Sequence, residues 1–329
     1  MGKSPESKNI KIQLIRALAI MAVVLIHSNG SQIISVIDRP FINFAVAMFV
    51  FLSGYLTKIK TNDLKKFYYK RIVKVLVPYI IWTFIYSLIK SNIGIEMVKS
   101  LLTATATTPF YYIFVYIQFV LLTPIIAKLL TSKYKNVGWF ITPIYVLIIR
   151  YICPFLGIQL GFPFPATIFF AWFIYYYLGM ALGNSIIKFD WKFKKTLLAY
   201  LIVIILSLCE GFYWYKIENN LDMATTQIRL TSIATSIFAC LVAYKYIVDD
   251  KIKLNDKFTK ILALIGDRSF GIFFVHIAIL RLIDKITYIF FNGMVLFFPL
   301  RTIIIIFLSF IVVYIGHKIM KHKSWILGL

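Results

Sequence analysis

Two side chains that can do chemistry stand in the first strongly apolar run of the chain. Arg16 and His27 bracket the stretch RALAIMAVVLIH and are eleven positions apart. In an α-helix, eleven residues make three full turns plus about 20°, so both side chains lie on one face, about 16 Å apart along the axis. An imidazole can act as a general base near neutral pH, and a guanidinium binds anions such as phosphate. This helix face therefore predicts a cavity that crosses much of the membrane, with Arg16 toward the cytoplasm and His27 toward the outer half.

Each residue of this pair also has a structural interpretation. Arg16 lies close to the start of the apolar run, where a long side chain can extend to the water interface. His27 can form a hydrogen bond between helices, as polar side chains inside membranes often do. The position of both residues on one face favours the functional interpretation.

A second histidine, His276, lies in the late apolar stretch GDRSFGIFFVHIAIL, which also contains Arg268. Ionisable groups inside membrane spans are costly and usually mark a pathway or a site. For His276 the structural and functional interpretations remain open. The chain has no metal-ligand motif and no P-loop or nucleophile-elbow pattern, so we expect no metal.

The elements that must position these residues follow from the composition. Of the 329 residues, 60% are hydrophobic and only 15% are charged, and the mean hydropathy is +0.83. Apolar runs of roughly 20 residues, each long enough to cross a bilayer, recur along the chain. These features predict an all-α, polytopic integral membrane protein with about ten transmembrane helices in a single domain, residues 1–329. The predicted spans are centred near residues 20, 48, 82, 120, 147, 175, 205, 237, 273 and 308.

The net charge of +23 is best explained by membrane topology. With the N-terminus in the cytoplasm, 25 of the 36 Lys and Arg residues fall on the cytoplasmic side of the predicted spans and 9 on the other side. Basic residues concentrate in cytoplasmic loops, so both termini are predicted to be cytoplasmic and the protein is expected in the cell membrane. No soluble region is large enough to form a nucleic-acid-binding domain, and no nucleic-acid partner is expected.

Four stretches of the sequence together resemble one family. Arg16 and His27 match the first-helix signature of the membrane acyltransferase-3 family, the bacterial cell-surface glycan O-acyltransferases. MFVFLSGYL is similar to its second-helix motif, FYYKRIVKVLVPYIIW resembles the basic stretch before its third helix, and SFGIFFVH resembles its late histidine motif. The four motifs occur in the family's order and spacing, and the likeness extends over essentially the whole chain.

The resemblance implies roles for particular residues. His27 is the expected catalytic residue, and Arg16, Arg71 and Lys74 are expected on the donor side, where Lys70 is a further candidate for binding the donor phosphates. Arg268, Ser269 and His276 are candidates for orienting His27 or stabilising an oxyanion. Two features differ from many members: Lys74 replaces a second arginine, and the second-helix motif lacks an aspartate before its serine-glycine pair.

The resemblance also implies the reaction and its partners. An acyl group, most commonly acetyl, would move from acyl-CoA to a hydroxyl of a cell-surface glycan or a lipid-linked sugar. Many members carry a secreted hydrolase-like domain after the helices, whereas a stand-alone membrane domain is expected here, with membrane lipids around it and a separate extracytoplasmic acyl-acceptor protein as a possible partner. A transporter or flippase for a free or lipid-linked saccharide is the alternative function, because buried cations and the aromatic stretch CEGFYWYKIENNLD on the outer side of the predicted spans also suit transport.

Overall fold

The fold is described from a computed structural model, which covers residues 9–59, 63–249, 256–290 and 298–329. Five of the basic residues counted for the topology lie outside these ranges: Lys3, Lys8, Lys60, Lys251 and Lys253. The described residues form helices and contain no strand, so the all-α prediction is confirmed.

Sixteen α-helices follow one another along the described part of the chain. They are α1 (Ile10–Ser28), α2 (Gln32–Ile42), α3 (Phe44–Tyr55), α4 (Leu64–Ile89), α5 (Ile95–Thr103), α6 (Tyr111–Thr131), α7 (Ile141–Leu147), α8 (Cys153–Phe155), α9 (Phe164–Thr167), α10 (Phe173–Gly183), α11 (Phe193–Lys216), α12 (Leu221–Thr225), α13 (Leu230–Val248), α14 (Lys257–Asp267), α15 (Ser269–Phe290) and α16 (Phe298–Met320). A π-helical turn, Ile148–Ile152, links α7 to α8, and 3₁₀ turns occupy Lys135–Trp139, Phe169–Trp172 and Lys321–Leu327.

All ten predicted span centres lie in helices. Seven helical segments of the described residues are long and apolar enough to cross a membrane, and two shorter apolar segments, Ile141–Phe155 and Phe169–Gly183, contain the span centres near 147 and 175. The remaining predicted span lies in α15, a helix of 22 residues that carries Arg281, Asp284 and Lys285 toward its end. The chain is therefore a polytopic helical membrane protein.

Several helices begin at a side chain that satisfies a free backbone N–H group. The Asn9 side chain accepts a hydrogen bond from Lys11 N at the start of α1, and Asp63 accepts one from Lys66 N at the start of α4. Unpaired N–H groups at a helix start are stabilised by such oxygen atoms. These caps set the first residues of the two helices that carry most of the predicted basic site residues.

Helix α1 lies at the centre of the bundle. It packs against α2, α3, α13, α14, α15 and α16, and small residues such as Ala17, Ala19 and Ala22 are buried along it. Helices α11 and α16 instead expose many large apolar side chains, as expected for surfaces that face lipid. The helix that carries Arg16 and His27 is thus held on several sides by the rest of the protein.

A close helix crossing joins α3, in the second predicted span, to α10. A Cβ atom placed on Gly54 of α3 would lie 2.2 Å from the carbonyl oxygen of Tyr176, and one on Gly179 of α10 would lie 2.2 Å from that of Phe51. Small residues allow helix backbones to approach one another in membranes. The glycine in the stretch FLSGY is therefore explained by this contact.

Candidate functional site

A cavity of about 920 Å³ lies beside α1 and is lined by residues of α1, α3, α4, α6 and α15, among others. This volume is at the upper end of the range for ligand-binding pockets. Seven of the eight predicted site residues line the cavity: Arg16, His27, Lys70, Arg71, Lys74, Arg268 and Ser269. His276 is 1% exposed and lies behind the cavity wall.

One part of the cavity, here called the basic end, is defined by five cationic side chains: Arg16, Lys70, Arg71, Lys74 and Arg268. They come from α1, from the first half of α4 and from the junction of α14 with α15. Three helices that are distant in sequence therefore direct positive charge into one volume. Such a cluster is suited to a ligand with several phosphate groups.

Contacts within the membrane domain fix the Arg16 guanidinium. Its Nη2 atom donates a hydrogen bond of 2.9 Å to Ser269 Oγ, and Nη1 donates one of 3.4 Å to Gln13 Oε1. The Asp267 carboxylate also interacts electrostatically with Arg16. Arg268 and Ser269 thus lie beside Arg16 at the basic end, three helical turns away from His27.

The Arg71 guanidinium is held in a similar way. Its Nη1 atom donates a 2.8 Å hydrogen bond to the hydroxyl of Thr57, which is fully buried and itself donates to the carbonyl oxygen of Ser53 at 2.6 Å. The guanidinium also lies over the Phe67 ring, 4.7 Å from its centroid. An arginine held in this geometry presents its remaining N–H groups in a fixed direction, which suits phosphate recognition.

His27 and His276 are in direct ring contact. Their ring centroids are 5.6 Å apart, with an angle of 44° between the ring planes. His276 Nδ1 lies 2.8 Å from the carbonyl oxygen of Phe273 and 3.1 Å from that of Ile272. Because both partners are acceptors, Nδ1 carries the hydrogen and Nε2 has the free lone pair. Nε2 has no hydrogen-bond partner among the described residues.

The opposite part of the cavity, here called the far end, contains residues that the sequence analysis did not select. It is lined by Arg39, Arg150, Asp222, Thr226 and Gln227. Arg39 Nη2 donates a 3.3 Å hydrogen bond to the carbonyl oxygen of Ile26, and Arg39 interacts electrostatically with His27. The far end therefore begins at His27.

A signal for Arg39 is present in the sequence. The segment Gln32–Tyr55 is apolar enough over 24 residues to form a span, and it includes Asp38 and Arg39. Our prediction centred this span near residue 48, with Asp38 at its end and Arg39 among the basic residues outside the membrane. Starting the span at Gln32 would have placed Arg39 among the ionisable groups inside the membrane.

Tyrosines of α6 form the wall between the two ends. Tyr111, Tyr112 and Tyr116 all line the cavity. Tyr116 interacts with Arg71, Tyr112 with Arg16 and Tyr111 with Arg39. The cavity is therefore continuous along α6 from the basic end to the far end.

Comparison with known protein families identifies the family of this chain. The profile of the acyltransferase-3 family, described as an acyltransferase domain, matches residues 9–317. The chain belongs to the acyltransferase-3 family. The match confirms the resemblance carried by the four motifs and covers nearly the whole chain. No curated protein and no solved structure gave a significant match.

Family membership makes the protein a membrane acyltransferase that transfers groups other than amino-acyl groups. The cavity brings together a general-base candidate, His27, and a cluster of cations. Among the residues that the structure describes, no group of three or more His, Cys, Asp or Glu side chains could hold a metal ion. Family membership favours an enzyme over the transporter alternative.

Proposed function

We propose that this protein is a membrane O-acyltransferase that moves an acetyl group from acetyl-CoA to a hydroxyl of a cell-surface polysaccharide or its lipid-linked precursor. The whole chain, residues 1–329, acts as one acyltransferase domain in the cell membrane. The observation that carries the proposal is one cavity that joins five cations to His27. This arrangement suits a donor with phosphate groups at one end and a reactive thioester at the other.

The basic end binds the donor. Arg16, Lys70, Arg71 and Lys74 hold the phosphate groups of CoA, and Arg268 adds a fifth positive charge. Charge-assisted hydrogen bonds to phosphate are about twice as strong as neutral ones, and partial burial reduces competition from water. In the predicted topology these residues face the cytoplasm, where acyl-CoA is made.

The spacing along α1 sets the reach of the donor. Arg16 and His27 are about 16 Å apart on one helix face. The pantetheine arm of CoA extends along the wall formed by Tyr112 and Tyr111, so that the thioester lies beside His27. The wall excludes water from the thioester and lowers the competing hydrolysis.

His27 acts as the general base of the transfer. Its neutral ring takes the proton of the acceptor hydroxyl while that oxygen attacks the thioester carbonyl carbon. The tetrahedral intermediate then expels the CoA thiolate as the carbon–sulfur bond breaks. The imidazolium returns its proton to the sulfur, so the products are an O-acyl ester and CoA thiol. Arg39, which interacts with His27, stabilises the negative charge that develops on the carbonyl oxygen.

His276 is a positioning residue in this scheme. Its Nδ1–H is committed to the carbonyl oxygens of Phe273 and Ile272, so Nε2 is available to accept the N–H of His27. A hydrogen bond of this kind fixes the tautomer of a catalytic histidine and leaves its other nitrogen free as the base. Ser269 has the corresponding role at the basic end, where it orients Arg16.

The proposed function is tested by the products that it predicts. Membranes with and without the protein are incubated with acetyl-labelled acetyl-CoA, and the surface polysaccharides are examined by mass spectrometry for an added acetyl group that mild alkali removes. We expect an alkali-labile acetyl ester that depends on the protein. Polymers that are identical in the two preparations would contradict the proposal.

A further inference from the structure

The two ends of the cavity differ in their charge balance. At the basic end, among the described lining residues, five cations face one acidic side chain, that of Asp267. At the far end Arg150 pairs with Asp222 at 2.5 Å, and Arg39 interacts electrostatically with Asp38. Among the described residues of the far end, Arg150 is therefore ion-paired and Arg39 lies near an acidic side chain. A polyanion suits the basic end, whereas an uncharged polar ligand suits the far end.

The far end also offers a set of planar hydrogen-bonding groups. The guanidinium of Arg150, the carboxylate of Asp222 and the amide of Gln227 all line the cavity. Arg150 Nε and Gln227 Oε1 have no hydrogen-bond partner among the described residues. Planar groups that donate or accept two hydrogen bonds match the adjacent hydroxyls of a sugar ring.

Aromatic surface also lines the cavity around Tyr111, which interacts electrostatically with Arg39. The Phe162 ring lines the cavity and is 59% exposed, although it is a large apolar side chain. It packs edge to face against Tyr111, with the ring centroids 5.6 Å apart. An exposed ring beside hydrogen-bonding groups can cover the apolar C–H face of a sugar, since aromatic side chains supply large rigid contact area.

Two buried side chains hold the loop that carries Gln227. From the α2–α3 junction, Asn43 Nδ2 donates hydrogen bonds to the carbonyl oxygens of Thr226 and Thr225 at 3.0 and 3.3 Å. From the other side, Arg229 donates to the carbonyl oxygen of Met223 at 3.1 Å. Asn43 and Arg229 are both 0% exposed. A loop fixed from two sides presents its side chains in a defined geometry, as binding sites require.

We infer that the far end is the acceptor subsite, and that it selects a neutral, hydroxyl-rich glycan segment over an acidic one. The inference rests on the proposed function, which places acyl transfer at His27. Arg150, Asp222 and Gln227 hydrogen-bond the sugar hydroxyls, and Phe162 covers one face of the ring. The acceptor hydroxyl then reaches His27 from the side opposite to the donor.

The test uses the full chain in lipid nanodiscs and measures release of CoA thiol from acetyl-CoA. Neutral gluco-oligosaccharides and N-acetylglucosamine oligomers are compared with oligogalacturonates as added acceptors. We expect the neutral oligomers to accelerate thiol release and to become acetylated, and the acidic oligomers to be the poorer acceptors. In Gln227→Ala and Asp222→Asn, the KM for the neutral oligomer should rise about tenfold. The control Glu218→Gln changes an exposed residue that bonds Tyr213 away from the cavity and should keep the wild-type KM.

Two outcomes would overturn the inference. One is that an acidic oligomer is the better acceptor, or that none of the neutral oligomers changes the rate of thiol release. The other is a KM in Gln227→Ala and Asp222→Asn equal to that of Glu218→Gln. Failure of the proposed function itself is a different result, because no acceptor, neutral or acidic, would then be acetylated in a His27-dependent reaction, and the surface polysaccharides would carry no protein-dependent acetyl ester.

Discussion

The rings of His27 and His276 lie 5.6 Å apart, although the two residues belong to the first and the next-to-last long helices of the chain. His27 lines the cavity and His276 is buried behind it. The Nδ1–H group of His276 donates to carbonyl oxygens of α15, so the hydrogen-bond acceptor of that ring is Nε2. The pair therefore combines a histidine open to substrate with a histidine of fixed tautomer.

This relationship predicts different effects for two substitutions of His276. His276→Ala should lower kcat about tenfold or more, because the His27 ring loses the group that orients it. The KM for acetyl-CoA should stay unchanged, since His276 does not line the cavity. His276→Gln keeps a side-chain acceptor and should recover part of kcat.

The measurement is the pH–rate profile of both variants in membranes. The acidic limb, which reports protonation of His27, should move in His276→Ala and return toward the wild type in His276→Gln. An unchanged profile in His276→Ala, or equal losses in both variants with normal folded yield, would show that His276 has only a packing role.

The basic end predicts a dependence on the phosphates of the donor. Arg71→Ala should raise the KM for acetyl-CoA about tenfold, because one charge-assisted phosphate contact is lost. With acetyl-pantetheine, which has no phosphate, the same variant and the wild type should have equal KM values. The KM of Arg71→Lys for acetyl-CoA should lie between those of the wild type and Arg71→Ala, since lysine keeps the charge and loses the paired N–H groups.

Lys65→Ala is the matched control for this series. Lys65 belongs to the same helix, α4, but is exposed and does not line the cavity. Initial rates at varied donor concentration give the KM values. A rise in KM that is the same for both donors, or that also occurs in Lys65→Ala, would contradict phosphate binding at the basic end.

The close crossing of α3 and α10 predicts a loss of stability in Gly54→Ala. The added methyl group would lie 2.2 Å from the carbonyl oxygen of Tyr176, and relief of this overlap requires movement of backbone. Overpacking of this kind costs about 1–3 kcal/mol. Gly161→Ala is the control, because a Cβ at that position meets nothing within 4 Å.

Thermal unfolding of the purified variants in detergent checks this prediction. Gly54→Ala should melt below the wild type, and Gly161→Ala should melt near it. Equal melting temperatures for the two variants would mean that the crossing relaxes without cost.

Some of the site was predictable from the sequence for a physical reason. Helical periodicity depends only on local geometry, so the common face of Arg16 and His27 follows from their spacing. Both residues do line one cavity. The apolar runs likewise located all ten helical span centres, because a bilayer demands long helices of apolar residues.

Other parts of the site depend on packing between distant helices and have no local signal. Arg150 meets Asp222 across 72 residues, and Asn43 reaches Thr226 across 183. The far end was therefore missed. Arg39 was missed for a further reason. The helix breaks between α2 and α3 at Asn43, and the apolar pattern is strongest after Asn43.

The central claim is that His27 carries out acyl transfer to a glycan hydroxyl. The most direct measurement compares membranes containing the wild type, His27→Ala or His322→Ala at equal folded amounts, with acetyl-labelled acetyl-CoA as donor and alkali-labile label on surface polysaccharide as the readout. His322 is exposed and lies outside the cavity lining, so it controls for loss of a histidine. We predict that His27→Ala lowers the rate of labelling at least about 100-fold, the usual contribution of a general base, while His322→Ala labels at the wild-type rate. Labelling by His27→Ala at the wild-type rate would contradict the account.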